Sequence, residues 1–204
     1  MNTLDTLFSL AADTDTVVFD IGNVLLRFDA AGLFRQMVPG VIREPLFRAT
    51  FFGTAPWCWS SFDEGLIPHE EIARRIAESA GLDSADAAYV LFVLNNYHRA
   101  LIPMPLSEGI PALKAMGKKI YALTNYPVPQ LDDAWNRFSF FRYFDGRVVS
   151  GEERLVKPNA AFYRILETRY HVSPRTALYI DDNGANIQTG RELGYRVWHY
   201  DFME

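Results

Sequence analysis

The chain has 204 residues, of which 49% are hydrophobic, and its 20 Lys and Arg against 25 Asp and Glu give a net charge of -5. This composition excludes a disordered or fibrous chain, and it argues against a nucleic-acid partner, which selects for a basic face. A single cysteine, Cys58, excludes an intramolecular disulfide and fits a reducing, cytoplasmic setting.

Residues 1–14 are expected to form an N-terminal extension, partly ordered, with Leu4, Leu7, Phe8 and Ala11 at helical spacing. Met1–Asp5 has no basic segment leading into an apolar run, so no signal peptide is expected. No apolar stretch approaches the ~18 residues of a membrane span, so no membrane partner is expected. Val17-Val18-Phe19 reads as the first buried strand. From about Ala30 to Ala100 no strand is evident. Ile72, Ile76 and Ala80 mark one helix, and Tyr89, Leu91, Phe92 and Leu94 lie around another. Between them and the first strand lies an aromatic group, Phe51, Phe52, Trp57, Trp59 and Phe62, which either lines a cleft or fills a core.

Beyond residue 100, apolar runs and helical patterns alternate. Ile110, Leu113 and Met116 sit at helical spacing before a capping Gly117, and Ile120-Tyr121-Ala122-Leu123 is a second strand. Val148-Val149 is a short third. A helix opened by Pro158 carries Phe162, Ile165 and Leu166. Ala177-Leu178-Tyr179-Ile180 is the fourth strand, Asn186 to Leu193 a helix ended by Gly194, and Tyr195-Arg196-Val197-Trp198 the fifth strand. This alternation predicts an α/β fold: a Rossmann-like parallel sheet with helices on both faces, over residues 15–30 and 101–204, with an all-helical cap, residues 31–100, inserted after the first strand.

Three apolar strands end in polar residues: Phe19-Asp20, Leu123-Thr124-Asn125 and Ile180-Asp181-Asp182. Ligands of an open parallel sheet bind beyond the carboxyl ends of its strands. If these strands are neighbours, the polar residues meet in one crevice. Clustered carboxylates repel, and a hard cation such as Mg²⁺ relieves that repulsion while also binding phosphate. Thr124 and Asn125 are natural donors to phosphate oxygens, and Lys157, just before a helix, can bring a cation to the crevice. Singly, each residue reads equally as a turn, a helix cap or a solvated surface group.

Together, Phe19-Asp20-Ile21-Gly22-Asn23-Val24-Leu25, Leu123-Thr124-Asn125, Leu155-Val156-Lys157-Pro158 and Tyr179-Ile180-Asp181-Asp182-Asn183-Gly184-Ala185-Asn186 resemble the motifs of the haloacid dehalogenase superfamily. The resemblance runs from about Val17 to Trp198. It is nearest to glucose-1-phosphatase-like sugar phosphatases and to the phosphatase domain of soluble epoxide hydrolases. It implies a Mg²⁺-dependent phosphatase acting on a small phosphorylated metabolite, such as a hexose 1-phosphate, through an aspartyl-phosphate. It implies Asp20 as nucleophile and Lys157 as the neutralising cation. Thr124, Asn125 and Asn186 fall at phosphate or substrate positions. Asp20, the Gly22 carbonyl and Asp181 are implied as direct metal ligands, with Asp182 acting through the metal's waters.

One position departs from the family pattern. Most phosphatases of the superfamily carry a second Asp two residues after the nucleophile, as general acid and base, and here that residue is Gly22. Acid–base help of this kind contributes about 10²–10⁴ in rate. Two other readings therefore stand beside the phosphatase: a metal-independent 2-haloacid dehalogenase, and a phosphate-binding regulatory protein with little turnover. The pair Asp181-Asp182 favours phosphate chemistry over dehalogenation.

Overall fold

A computed structural model describes residues 2–29, 56–81 and 83–201. Its centre is a five-stranded sheet of β1 (Thr16–Phe19), β4 (Lys119–Thr124), β5 (Gly146–Val149), β6 (Ala177–Asp181) and β7 (Arg196–His199). The order is β5-β4-β1-β6-β7 and every pairing is parallel. The three middle strands are the continuous apolar runs. All four β1 residues and all five of β6 are buried, as only strands covered on both faces can be. All five expected strands form within a residue or two of their expected places.

Helices supply the two covering layers. Leu7, Ile110 and Leu113 belong to one buried cluster with Val17, Phe19 and Ile180, while Phe162, Leu166 and Ile187 belong to the other with Val18, Tyr121 and Tyr179. Burying one such side chain contributes about 1.5–3 kcal/mol. Here α6 is Ile110–Ala115, α7 Val128–Arg137, α9 Ala160–Tyr170 and α10 Gly184–Glu192. The third of these starts two residues after Pro158, because the Asn159 side chain caps it, accepting from the Ala161 N–H at 3.0 Å. Gly190 of α10 lies against β6, where an added Cβ would come within 2.7 Å of the Tyr179 ring.

The N-terminal extension is a helix, α1 (Thr3–Ala11), opened by a capping box between Asn2 and Asp5. Leu7 and Ala11 are fully buried, so the apolar spacing serves core packing, where sequence suggested only partial order.

Two short antiparallel strands flank the cap, β2 (Leu26–Phe28) and β3 (Leu101–Pro103), with Leu26 opposite Pro103. They carry the chain out of the core and back. Between them the described residues hold α2 (Pro56–Glu64), α3 (His69–Ser79) and α4 (Ser84–Asn96), so this part of the insert is helical. The pair α3 and α4 is held by Ile72, Ile76, Val90 and Leu94, all buried. Of the aromatic group, Phe51, Phe52 and the side chains of Trp57 and Trp59 lie outside what is described. Phe62 is fully buried, with its ring 4.6 Å from His69 and 6.2 Å from Tyr97, and it fills a core.

Candidate active site

The carboxyl ends of β1, β4 and β6 are adjacent, and the polar residues that follow them meet there. Asp20, Asp181 and Asp182 each offer an oxygen, all lying within 4.8 Å of one another. After Asp20 the chain makes a tight loop in which the N–H groups of Leu25 and Leu26 donate to the Ile21 carbonyl at 2.9 Å. Asn23 there adopts a left-handed φ of 55° and donates from its amide to Asp182 Oδ2 at 3.0 Å. Gly22 lies in this loop, and an added Cβ would find nothing within 4 Å.

Lys157 is the buried counter-charge. Its Nζ lies 2.9 Å from Asp20 Oδ1 and 2.7 Å from Asp181 Oδ2, and the side chain is almost fully enclosed. An ammonium and carboxylates taken out of water persist only when paired at such distances. Asn125 fixes the segment that carries it. The Asn125 amide donates to the Lys157 carbonyl at 3.1 Å and accepts from the Lys157 N–H at 2.8 Å.

The two neighbouring aspartates differ in their surroundings. Asp181 is fully buried and its oxygens are saturated. Its Oδ2 accepts from Lys157, from the Tyr179 hydroxyl and from the Asn186 amide at 3.2 Å. Its Oδ1 accepts from the Asn183 N–H at 2.8 Å and the Asn186 amide at 3.0 Å. Among the described residues Asp182 has one side-chain donor, Asn23.

The charges follow from these contacts. Burial raises the Asp20 carboxyl, Lys157 opposes it, and the Asp181 and Asp182 charges add to it, leaving it at about 7. Burial also acts on Asp181, but Lys157, Tyr179 and Asn183 hold it below the ordinary carboxylate value. Lys157 is desolvated, yet Asp181 and Asp20 keep its pKa raised and its charge secure. Asp182 is raised by burial, with Asn23 opposing. Thr124 is fully buried, and its Oγ1 has no hydrogen-bond partner. A buried hydroxyl is rarely left so unless a ligand completes it.

All eight sequence-derived site residues thus lie around one crevice, and two of them also make contacts that the sequence did not suggest. The side chains of Asn125 and Asn186 are taken up by the Lys157 backbone and by the Asp181 carboxylate. They position the charged residues, and Asn125 also lines the cavity beside the cluster.

Beside this cluster is a cavity of about 290 Å³, lined by Gly22, Asn23 and Asn125 on the core side. Leu26, Phe28, Tyr97, Leu101 and Tyr126 make its apolar walls, and Asp63 enters it from α2. Sequence reasoning did not find Asp63. It stands next to Glu64 at the end of an aromatic-rich helix, with no motif around it.

Several known proteins are similar. The chain is 25% identical over 177 residues to flavin mononucleotide hydrolase 1 of Arabidopsis thaliana, covering 79% of this chain and 69% of that protein. It is 23% identical over 136 residues to a sesquiterpene phosphatase of Aspergillus oryzae, covering 67% of this chain and 68% of the relative. It is 20% identical over 186 residues to a drimenol cyclase of Aspergillus calidoustus, where it covers 88% of itself but spans only 33% of that longer protein. Among solved structures, a HAD family enzyme of Bacteroides thetaiotaomicron superposes with a TM-score of 0.67 at 20% identity, covering 94% and 95% of the two chains. The L-2-haloacid dehalogenase of Xanthobacter autotrophicus gives 0.67 at 20%, covering 90% and 76%. These two likenesses are of fold. A family model for haloacid dehalogenase-like hydrolases matches residues 14–194, and with the motif residues gathered at the strand ends, the chain belongs to that hydrolase family.

Proposed function

We propose that the protein is a phosphatase that hydrolyses a small phosphate monoester through an aspartyl-phosphate on Asp20. The observation that carries this reading is the convergence of three carboxylates, a buried lysine and an orphaned buried hydroxyl at one set of strand ends. A metal-independent dehalogenase has no use for Asp182, a second carboxylate left with one side-chain donor beside the nucleophile.

The residues fit a hard divalent cation, because three carboxylates offer oxygens within 4.8 Å and their mutual repulsion is only partly met by Lys157. Asp20, the Gly22 carbonyl and Asp182 would hold Mg²⁺, which supplies charge neutralisation to phosphoryl oxygens when bound. The sequence assigned direct ligation to Asp181 and a water-mediated role to Asp182. The hydrogen bonds favour the reverse, since Asp181 is saturated and Asp182 is not.

In this reading Asp20 attacks phosphorus with the carboxylate oxygen presented at the crevice. Lys157 favours the ionised form of Asp20 against the effect of burial and offers positive charge to the phosphoryl oxygens. Thr124 donates its free hydroxyl to one of them. Asp181, held by Tyr179 and Asn186, orients Lys157, and Asn125 fixes the backbone beneath it. The organic part of the ester occupies the cavity. Its described walls are aromatic and aliphatic, which suits a leaving group with an apolar or ring-shaped face. A hexose 1-phosphate remains within this class. An aryl or terpenoid ester fits the walls better, because a hexose brings several hydroxyls that seek polar partners.

The test is phosphate release from a panel of hexose 1-phosphates, aryl phosphates and isoprenoid phosphates, with Mg²⁺ and with excess chelator. Metal-dependent release from at least one class supports the proposal. Halide release from 2-haloacids in chelator, with no phosphate released from any ester, overturns it.

A further inference from the structure

Asp63 has three properties that single it out. It lines the same cavity as Gly22 and Asn125. Its carboxylate has no hydrogen-bond or ion-pair partner among the described residues. Its backbone is pinned nonetheless: the Asp63 carbonyl accepts from Ser150 Oγ at 2.6 Å, and the same hydroxyl oxygen accepts from the Tyr126 N–H at 2.8 Å. Ser150 therefore ties the cap helix to the segment after β4. A partly buried acid held in position with its oxygens unused is a group kept for a ligand.

Gly22 leaves a specific vacancy in the chemistry. Both half-reactions of an aspartyl-phosphate mechanism move a proton, and no side chain at that position can carry it. Resting on the phosphatase reading above, we infer that Asp63 of the cap is the general acid and base of this enzyme, taking the place of the carboxylate missing at Gly22. In the first half, Asp20 forms a bond to phosphorus as the ester P–O bond breaks, and the Asp63 carboxyl gives its proton to the departing alkoxide. In the second, a water attacks phosphorus, the Asp63 carboxylate takes its proton, and the acyl-phosphate P–O bond breaks. This returns Asp20 as carboxylate, releases phosphate and leaves Asp63 protonated as at the start.

The surroundings agree with that cycle. Burial and the Asp20 charge raise the Asp63 carboxyl well above its ordinary value, with Glu64 adding and Lys157 opposing. Tyr97 and Tyr126 line the same cavity, and both phenols are themselves raised by burial, so neither competes as a proton donor at neutral pH.

The experiment compares the wild type with Asp63→Asn, using p-nitrophenyl phosphate and an alkyl phosphate of similar size at saturating Mg²⁺ across a range of pH. The expected loss in kcat/KM is about 10²–10⁴-fold for the alkyl ester and under about tenfold for the aryl ester, whose leaving group needs no proton. The limb of the kcat/KM profile that reports the acid should disappear in the variant. Acid-quenched samples of the variant with the aryl ester should show accumulated phosphoprotein, because breakdown has lost its base. Formate added to Asp63→Gly should restore part of the alkyl-ester rate, which keeps the inference testable if the Asn variant folds poorly. Equal losses on both esters with an unchanged pH profile, or no loss at all, overturn the inference while leaving the phosphatase reading intact. Wild-type protein that hydrolyses neither ester counts against the phosphatase reading itself.

Discussion

The two walls of the site are built on opposite principles. On the core side the buried charges are tied to one another, with Asp182 and the Thr124 hydroxyl left for a ligand: Asp181 accepts from Lys157, Tyr179, Asn183 and Asn186, and Lys157 bridges Asp181 and Asp20. On the cap side the Asp63 carboxylate stands unused in mostly apolar surroundings. A saturated network is rigid and suits the part of the reaction common to every phosphate ester. An unsaturated, mostly apolar wall suits the part that varies, the organic group. The difference teaches where to look for catalysis and where for specificity, and perturbing each wall in turn tests it.

The largest effect is expected at the nucleophile. Asp20→Asn should abolish turnover of every ester, and the same variant should be more stable than wild type in chelator at neutral pH. The sign follows from Asp20 standing at about 7 in the folded protein against 3.8 when unfolded. The native state then binds more protons than the unfolded one between these values, so stability falls as pH rises from about 4 to 7. The penalty grows through this interval, and an amide does not incur it. Thermal melts in chelator at pH 5 and pH 7 measure it. A wild-type melting temperature that rises over this interval contradicts the assignment.

Lys157→Met comes next. It leaves three carboxylates without their buried cation, and breaking such a pair typically costs about 3–5 kcal/mol. Because the core wall is a single network, the loss should be partly reversed by Mg²⁺, which repels less after the ammonium is gone. Urea unfolding with and without the cation gives both numbers. A variant as stable as wild type in chelator shows that the core wall is not held by this pair.

The same contrast decides what the sequence could reveal. Runs such as Val17-Val18-Phe19 and Ala177-Leu178-Tyr179-Ile180 are legible because a strand buried on both faces can hold nothing polar until it leaves the sheet, so Asp20 and Asp181 mark its end. The roles of Asp181 and Asp182 are not legible, since two adjacent identical residues differ only in which way the strand end faces each. Nor is the work of Asn125 and Asn186, whose partners are a backbone and a carboxylate distant in the chain. The β2–β3 pair escapes notice because its strands have three residues each and lie on either side of the whole cap. Asp63 escapes for a related reason: only folding carries it from the cap to the cavity beside Gly22.

Ser150→Ala tests the junction of the two walls. It deprives the Tyr126 N–H of its acceptor and the Asp63 carbonyl of its donor, for about 1–3 kcal/mol. Since the cap side positions the leaving group, kcat/KM should fall more for an alkyl ester than for an aryl ester. An equal loss on both esters means that Ser150 serves stability alone.

The smallest single effect is expected from supplying the residue that the family pattern would place at Gly22. An added Cβ there meets nothing within 4 Å, and the glycine is not held in a left-handed conformation, so Gly22→Asp should fold with little strain. If no acid were present, this change would raise alkyl-ester turnover by orders of magnitude. If Asp63 already supplies the proton, a second carboxylate is redundant, and the change should shift kcat/KM by far less than the about 10²–10⁴-fold scale of acid–base help. The decisive form is the double variant. Gly22→Asp placed on Asp63→Asn should recover much of the lost alkyl-ester rate and restore an acid limb to the pH profile, because a core-side carboxylate would replace the cap-side one. The four proteins of this cycle, measured on one alkyl ester, separate the possibilities. Strong coupling, with rescue only in the Asp63→Asn background, shows that the two positions serve one proton. Additive effects, or a large gain from Gly22→Asp alone, show that the native protein works without a carboxylate acid and that the cap wall selects substrates but does not take part in the chemistry.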